Sequence, residues 1–125
     1  MIVEDDFIVA SNLEELLIKL GYRVIGMAKN SGEAMQVYQE FSPDLAFLDI
    51  ELGKDSLDGI EIAHAIYEQQ PIPIVYLTGA SNKTIVERAK TPFPAYYLTK
   101  PCTEEQIDIG IEFAIHFFIL FEKTI

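Results

Sequence analysis

The chain contains no tryptophan, one cysteine and fewer than half as many basic as acidic residues. Because Cys102 is its only thiol, it cannot form an internal disulfide, which excludes a disulfide-stabilised scaffold and fits a reducing compartment such as the cytoplasm. Nine Lys and Arg against 20 Asp and Glu give a formal net charge of −11. Such an acidic chain is not expected to bind nucleic acid directly, since phosphate backbones attract basic surfaces.

Long apolar runs are also missing. The longest, Phe117 to Phe121, is far shorter than the ~20 residues that a membrane helix needs. The first six residues carry no basic segment, so they do not resemble a signal peptide. With 125 residues, half of them hydrophobic, we expect residues 1–125 to form one domain, either as a whole protein or as a module of a longer chain.

One apolar stretch organises the rest of the sequence. Within Pro43 to Ile50, Leu45 to Leu48 are uninterrupted by polar residues and end at Asp49. A short apolar run of this kind indicates a strand buried on both faces. A carboxylate at its carboxyl end stands where open parallel sheets bind their ligands.

Strand and helix patterns alternate along the whole chain. The predicted strands are 1–3, 23–28, 45–48, 72–77 and 95–98. The predicted helices begin after caps or turns and cover 7–20, 31–41, 59–70, 81–90 and 104–123. This alternation favours an α/β fold in which helices cover both faces of a parallel sheet.

Polar side chains follow four of these strands. Glu4 and Asp5 follow the first, Asp49 the third, Thr78 the fourth and Lys100 the fifth. Parallel strands bring their carboxyl ends to one edge, so we expect these side chains to meet. Three neighbouring carboxylates repel one another unless a cation is present, and Mg²⁺, with Mn²⁺ as an alternative, suits oxygen ligands. An ammonium and a hydroxyl beside them complete a phosphoryl-transfer site with Asp49 as nucleophile.

With these motifs in this order, the sequence resembles the receiver domain of two-component response regulators over essentially its whole length. The resemblance rests on five short segments, four at strand ends and one at a helix start: Ile2–Asp6, Phe47–Ile50, Asp58–Gly59, Leu77–Gly79 and Tyr97–Pro101. It implies a flavodoxin-like (βα)5 sandwich with strand order 2-1-3-4-5. It also implies a signalling switch that catalyses its own phosphotransfer and dephosphorylation, rather than a turnover enzyme.

The resemblance assigns a role to each matching position. Asp49 would be the phosphoacceptor and a metal ligand. Asp5 would bind Mg²⁺ directly, Glu4 through water, and the backbone carbonyl of Glu51 would be a further ligand. Lys100 would pair with the phosphoryl group.

Thr78 and Tyr97 would be the switch pair, and the Lys100–Pro101 peptide would be cis. The residues alone leave open which two carboxylates of Glu4, Asp5 and Asp6 form the pocket. The resemblance selects Glu4 and Asp5, which leaves Asp6 at the start of the first helix. The sequence departs from the family in a loop after Asp49 that is longer by about two residues and lacks the usual proline.

Partners follow from the same resemblance. A histidine kinase or phosphotransfer protein would supply the phosphoryl group. Phosphorylation would then alter the surface formed by the fourth helix, the fifth strand and the last helix. That last helix is apolar on almost every side. The pattern allows a large core-facing stripe with scattered exposed residues, but it favours contact with a second copy of the chain or with a linked output domain. Nine large apolar residues surround the helix: Ile107, Ile109, Ile111, Phe113, Ile115, Phe117, Phe118, Leu120 and Phe121.

Two other classes use part of this residue set. A haloacid dehalogenase-type phosphohydrolase also has an Asp nucleophile and Mg²⁺, but its Asp-x-Asp motif would need Asp at position 51, where this chain has Glu. A degenerate receiver would act only as a binding module, and the intact acidic, hydroxyl and lysine set argues against it. His64 and His116 have no metal-ligand spacing and are expected to be structural or surface residues.

Overall fold

The computed structural model describes residues 1–79, 87–88 and 95–124. Its five strands form one parallel sheet in the order β2-β1-β3-β4-β5, which confirms the predicted flavodoxin-like topology. The strands are β1 (Ile2–Val3), β2 (Met27–Ala28), β3 (Ala46–Asp49), β4 (Ile74–Thr78) and β5 (Tyr96–Thr99). The helices are α1 (Phe7–Lys19), α2 (Ser31–Phe41), α3 (Gly59–Gln69) and the last helix (Glu104–Thr124).

Two cores lie on opposite faces of the sheet. One packs α2 and α3 against Val3, Leu48 and Tyr76, and the other packs α1 and the last helix against Phe47 and Val75. The central strands β3 and β4 are therefore buried on both faces. This burial explains why the run that ends at Asp49 has no polar residue before it.

The predicted helix starts are confirmed by their caps. Asp58 and Glu61 form a reciprocal capping box at α3, and Thr103 and Gln106 form another before the last helix. Asn30 caps α2, because its side chain accepts from the Glu33 N–H group. The capping box is not reciprocal there, since the Glu33 carboxylate accepts from the backbone N–H group of Lys29 and not from that of Asn30.

One expectation was wrong. The second strand was predicted over 23–28, but only Met27–Ala28 pair, because their neighbour β1 is two residues long. Of the predicted fourth helix, 81–90, only residues 87–88 are described, and they are helical; the rest lies outside the described residues.

The last helix buries one stripe and exposes another. Ile107, Ile111 and Ala114 face the sheet and are buried. An outer stripe of four apolar residues is 39–47% exposed: Ile109, Phe113, Phe117 and Leu120. One domain face therefore does not cover this helix, as its composition predicted. Within the described residues, no helix is both long and apolar enough to cross a bilayer.

Candidate phosphoacceptor site

Asp49 is the last residue of β3, and it is buried. The residue is 3% exposed, and its Oδ1 accepts a hydrogen bond from the Glu51 N–H group at 3.2 Å. The first turn of α3 packs directly on it. A Cβ atom at position 59 would collide with the Asp49 carbonyl oxygen, so only glycine permits this approach.

Glu4 and Asp5 reach the same edge from β1. Because Val3 pairs with Leu48 in parallel register, Glu4 and Asp49 follow side by side at the strand ends. Carboxylate oxygens of Glu4, Asp5 and Asp49 all lie within 4.8 Å of one another. Glu4 and Asp49 are buried and Asp5 is exposed, so the cluster is open on one side. This all-oxygen set fits a hard divalent cation such as Mg²⁺ that keeps some water ligands.

Lys100 reaches the cluster from β5. Its Nζ donates to Glu4 Oε1 at 2.7 Å and lies 3.4 Å from Asp49 Oδ2. Its backbone N–H donates to the Thr78 carbonyl oxygen at 2.7 Å, which joins the ends of β4 and β5. The Lys100–Pro101 peptide is cis, as expected. The ammonium thus bridges two carboxylates that would otherwise repel each other.

The charges of this cluster perturb one another strongly. Burial, then the hydrogen bond and charge of Glu4, raises the pKa of Asp49 to about 7. Burial opposes ionisation of Glu4 as well, but hydrogen bonds with Asp49 and Lys100 outweigh it and hold the pKa of Glu4 below its ordinary value. Burial and the neighbouring Glu4 raise the pKa of Asp5. A cation here would favour the ionised form of all three carboxylates.

Thr78 and Tyr97 occupy neighbouring strands. Thr78 ends β4, is fully buried, and pairs in register with Thr99. Tyr97 lies two residues before Thr99 on β5, so it shares a sheet face with Thr78 and is half-buried. The two side chains therefore leave the same face of neighbouring strands, towards the end of the sheet that holds Asp49.

Residues 1–112 match the family model described as the response regulator receiver domain. The chain belongs to this family. Two-component signalling is the system in which such receiver domains work, so the family assignment favours the receiver interpretation over a phosphohydrolase of the haloacid dehalogenase type.

Named relatives and solved structures agree with this assignment. The receiver domain is similar to the transcriptional regulatory protein PdtaR of Mycobacterium tuberculosis, with 33% identity over 118 residues that cover 94% of this chain and 57% of the relative. The phyllosphere-induced regulator PhyR of Methylorubrum extorquens is 28% identical over 94% of this chain and 43% of its own. The chain thus spans about half the length of these curated relatives.

A solved structure gives the same picture of the fold. The signal receiver domain of a modulated diguanylate cyclase from Desulfovibrio desulfuricans G20 is 36% identical, with a TM-score of 0.83 over 95% of this receiver domain and 94% of that chain.

Several features around the site were missed from the sequence. The Ser31 N–H donates to Ser56 Oγ at 2.8 Å, and the Leu57 N–H donates to Ser31 Oγ at 3.2 Å, so the long loop after Asp49 is tied to the start of α2. Arg88 donates to Asp58 at 2.5 Å. Each pair joins positions 25 to 30 residues apart, and no local pattern signals such a contact.

The remaining predicted residues lie as follows. Asp6 caps α1 by accepting from the N–H groups of Ile8 and Val9, so it serves the helix while Glu4 and Asp5 face Asp49. His64 and His116 are exposed, as expected. Cys102 donates to the Thr99 carbonyl oxygen at 3.2 Å, and burial raises its pKa. A role for the Glu51 carbonyl as a ligand stays a prediction.

Proposed function

We propose that this receiver domain is a phosphorylation-controlled switch in which Asp49 accepts a phosphoryl group from the phosphohistidine of a histidine kinase or phosphotransfer protein. The observation that carries the proposal is the position of Lys100 Nζ, 2.7 Å from Glu4 and 3.4 Å from Asp49, beside three carboxylates that can reach one cation. A solvated lysine or a simple strand-end cap would not need this convergence.

The proposed transfer uses Asp49 as the nucleophile. An ionised Asp49 oxygen attacks phosphorus, the phosphorus–nitrogen bond to the donor histidine breaks, and its electron pair returns to the imidazole nitrogen. Lys100 then pairs with a phosphoryl oxygen, and the Thr78 hydroxyl donates to another. The switch is reset by hydrolysis: water attacks phosphorus, the Asp49 carboxylate leaves, and inorganic phosphate is released.

A divalent cation is needed for this chemistry because donor and acceptor are both anionic. Asp5 and Asp49 would hold Mg²⁺ or Mn²⁺ directly, Glu4 would hold it through water, and the backbone carbonyl of Glu51 would complete the protein ligands. When bound, the ion neutralises charge on the phosphoryl oxygens during transfer. The raised pKa of Asp49 also supports the need for a cation, because without one the nucleophile is not fully ionised at neutral pH.

The output is a shift between two conformations. Contacts of the acyl phosphate with Thr78 and Lys100 favour a form in which Tyr97 moves inward, and the surface of the fourth helix, β5 and the last helix changes with it. On the last helix, Phe113 stacks on Tyr96 of β5 with ring centroids 5.7 Å apart, and Phe117 stacks on Phe113 at 5.6 Å. This apolar surface is suited to a second copy of the chain or to a linked output domain.

The test is intact mass after incubation with acetyl phosphate and Mg²⁺. We expect a gain of one phosphoryl group that is lost in Asp49→Asn and when the metal is chelated. Asp44→Asn is the matched control, because Asp44 precedes β3 and lies at the opposite edge of the sheet. No mass gain in the unmodified chain would identify a degenerate receiver that acts only by binding.

A further inference from the structure

Two neighbouring tyrosines, the buried Tyr76 and the half-buried Tyr97, have buried hydroxyls without a hydrogen-bond partner. Tyr76 of β4 and Tyr97 of β5 are register partners on neighbouring parallel strands, so their side chains leave the same face of the sheet. Tyr76 is 1% exposed. Within the part of the chain that the structure describes, the Tyr76 and Tyr97 hydroxyls are the buried side-chain polar groups without a hydrogen-bond partner.

The hydroxyl of another buried tyrosine, Tyr38, is by contrast fully hydrogen-bonded. The Tyr38 hydroxyl donates to the Gln70 carbonyl oxygen at 2.7 Å and accepts from the Gln70 N–H at 3.0 Å. A buried hydroxyl without a partner loses its hydration and gains nothing in return, so it destabilises the conformation that contains it. Two such groups on paired residues would satisfy each other if one side chain rotated.

We propose that Tyr76 is a positioning residue of the switch, whose hydroxyl forms a hydrogen bond with that of Tyr97 in the phosphorylated conformation. The inference rests on the proposed function, since it is the phosphoryl group on Asp49 that draws Thr78 and then Tyr97 inward. It adds a residue on β4 that favours the inward position of the ring.

The energetics give the direction of the effect. In the conformation described here both hydroxyls are unpaired, which raises its free energy. In the phosphorylated conformation they pair, so the two states differ by an interaction that only one of them contains. Such a difference is what shifts a population. Burial, followed by the charge of Asp58, raises the pKa of Tyr76, so its hydroxyl keeps the proton that it would donate.

A double-mutant cycle tests this assignment. The full chain, Tyr76→Phe, Tyr97→Phe and the double variant are titrated with beryllium fluoride, a phosphoryl mimic, in saturating Mg²⁺, and the apparent dissociation constant is measured by calorimetry. We expect each single variant to bind about three- to tenfold more weakly, which is the effect of one hydrogen bond between neutral groups. The double variant should be no weaker than the weaker single variant, because one bond is lost only once.

Two controls separate positioning from folding. Without the mimic, Tyr76→Phe should melt at or above the temperature of the unmodified chain, since it removes an unsatisfied buried group. Tyr22→Phe, whose exposed hydroxyl contacts Asp108 outside the sheet, should bind the mimic as the unmodified chain does. Unchanged affinity in Tyr76→Phe, or multiplying effects in the double variant, would overturn the inference alone. If the unmodified chain neither bound the mimic nor gained phosphoryl mass, the proposed function would fail together with the inference.

Discussion

Lys100 and Glu4 are 96 positions apart in the chain, yet the lysine Nζ donates to the Glu4 carboxylate at 2.7 Å. The contact is shorter than the 3.4 Å between the same Nζ and Asp49. In this conformation the lysine is therefore held mainly by Glu4 and leaves Asp49 with a raised pKa. After phosphorylation, the Lys100 ammonium could leave Glu4 and pair with a phosphoryl oxygen on Asp49. This exchange of charged partners needs little movement of the Nζ atom, which already lies 3.4 Å from Asp49.

Replacing Lys100 by Met should affect both chemistry and stability. Loss of the ammonium removes the charge that would pair with the transferred group, and we expect phosphorylation by acetyl phosphate to slow by roughly 10²-fold. Because buried Glu4 also loses its partner, the free energy of unfolding should fall by about 1–3 kcal/mol. Lys19→Met is the control: its pair with Glu104 is exposed, so stability should change by less than about 1 kcal/mol and phosphorylation should not change.

The raised pKa of Asp49 predicts a pH-dependent stability in the absence of metal. The folded protein binds a proton with a pKa of about 7, whereas the ordinary value is 3.8, so the folded state holds the extra proton between these values. The free energy of unfolding should therefore fall as the pH rises from about 4 to about 7. The lowered pKa of Glu4 acts with the opposite sign, but only below its ordinary value of 4.5.

Urea unfolding between pH 5 and pH 7.5 measures this slope. Saturating Mg²⁺ should flatten it, because a cation stabilises the ionised carboxylates. Asp49→Asn should reduce it, and the raised pKa of Asp5 leaves a smaller slope of the same sign. An unchanged slope in Asp49→Asn would assign the titration to another group.

Much of the site was predictable because it follows from two sequence patterns. An apolar run that ends at Asp49 identifies the central strand, and alternation with helices makes the sheet parallel. Parallel strands then bring Glu4, Asp49, Thr78 and Lys100 to one edge whatever the details of packing. The caps of α3 and of the last helix were predictable for a similar reason, since they depend on residues three positions apart.

The features that were not predictable depend on distant partners. Residues 23–28 have the apolar pattern of a strand, but only Met27 and Ala28 have a strand partner, because β1 consists of two residues. The preference of Lys100 for Glu4 over Asp49 depends on differences of less than 1 Å in side-chain position, for which a sequence holds no signal.

The acidic triplet gives a direct test of the metal ligands. Glu4→Gln and Asp5→Asn each remove a charge from the cluster within reach of one cation, so we expect Mg²⁺ affinity to fall by about tenfold or more. Asp6→Asn should leave the affinity nearly unchanged, because Asp6 caps α1 and Asn caps helices equally well. The Mg²⁺-dependent rise in melting temperature reports each affinity. A large effect in Asp6→Asn would shift the pocket to Asp5 and Asp6.

Gly59 should tolerate no side chain. Its missing Cβ leaves room for the Asp49 backbone, so Gly59→Ala must push α3 away from β3 and should cost about 1–3 kcal/mol of stability. Because the same shift moves Asp49, phosphorylation should slow as well. Gly32→Ala is the matched control: it lies in α2 with only an ordinary van der Waals contact at 3.5 Å, and alanine there should be neutral or stabilising by about 0.5–1 kcal/mol. Equal effects at the two positions would argue against a special approach at Gly59.

The outer stripe of the last helix should matter for association and not for folding. Phe117 and Leu120 are 41% and 47% exposed, so replacing both by Gln should change the free energy of unfolding by less than about 1 kcal/mol. If the stripe joins two copies of the chain, sedimentation of the phosphorylated protein should show the dimer dissociating at least about tenfold more readily in this variant. Ile18→Gln is the control, since Ile18 is 58% exposed on α1, outside the stripe. A phosphorylated chain that sediments as a monomer before any substitution would leave the linked output domain as the occupant of this surface.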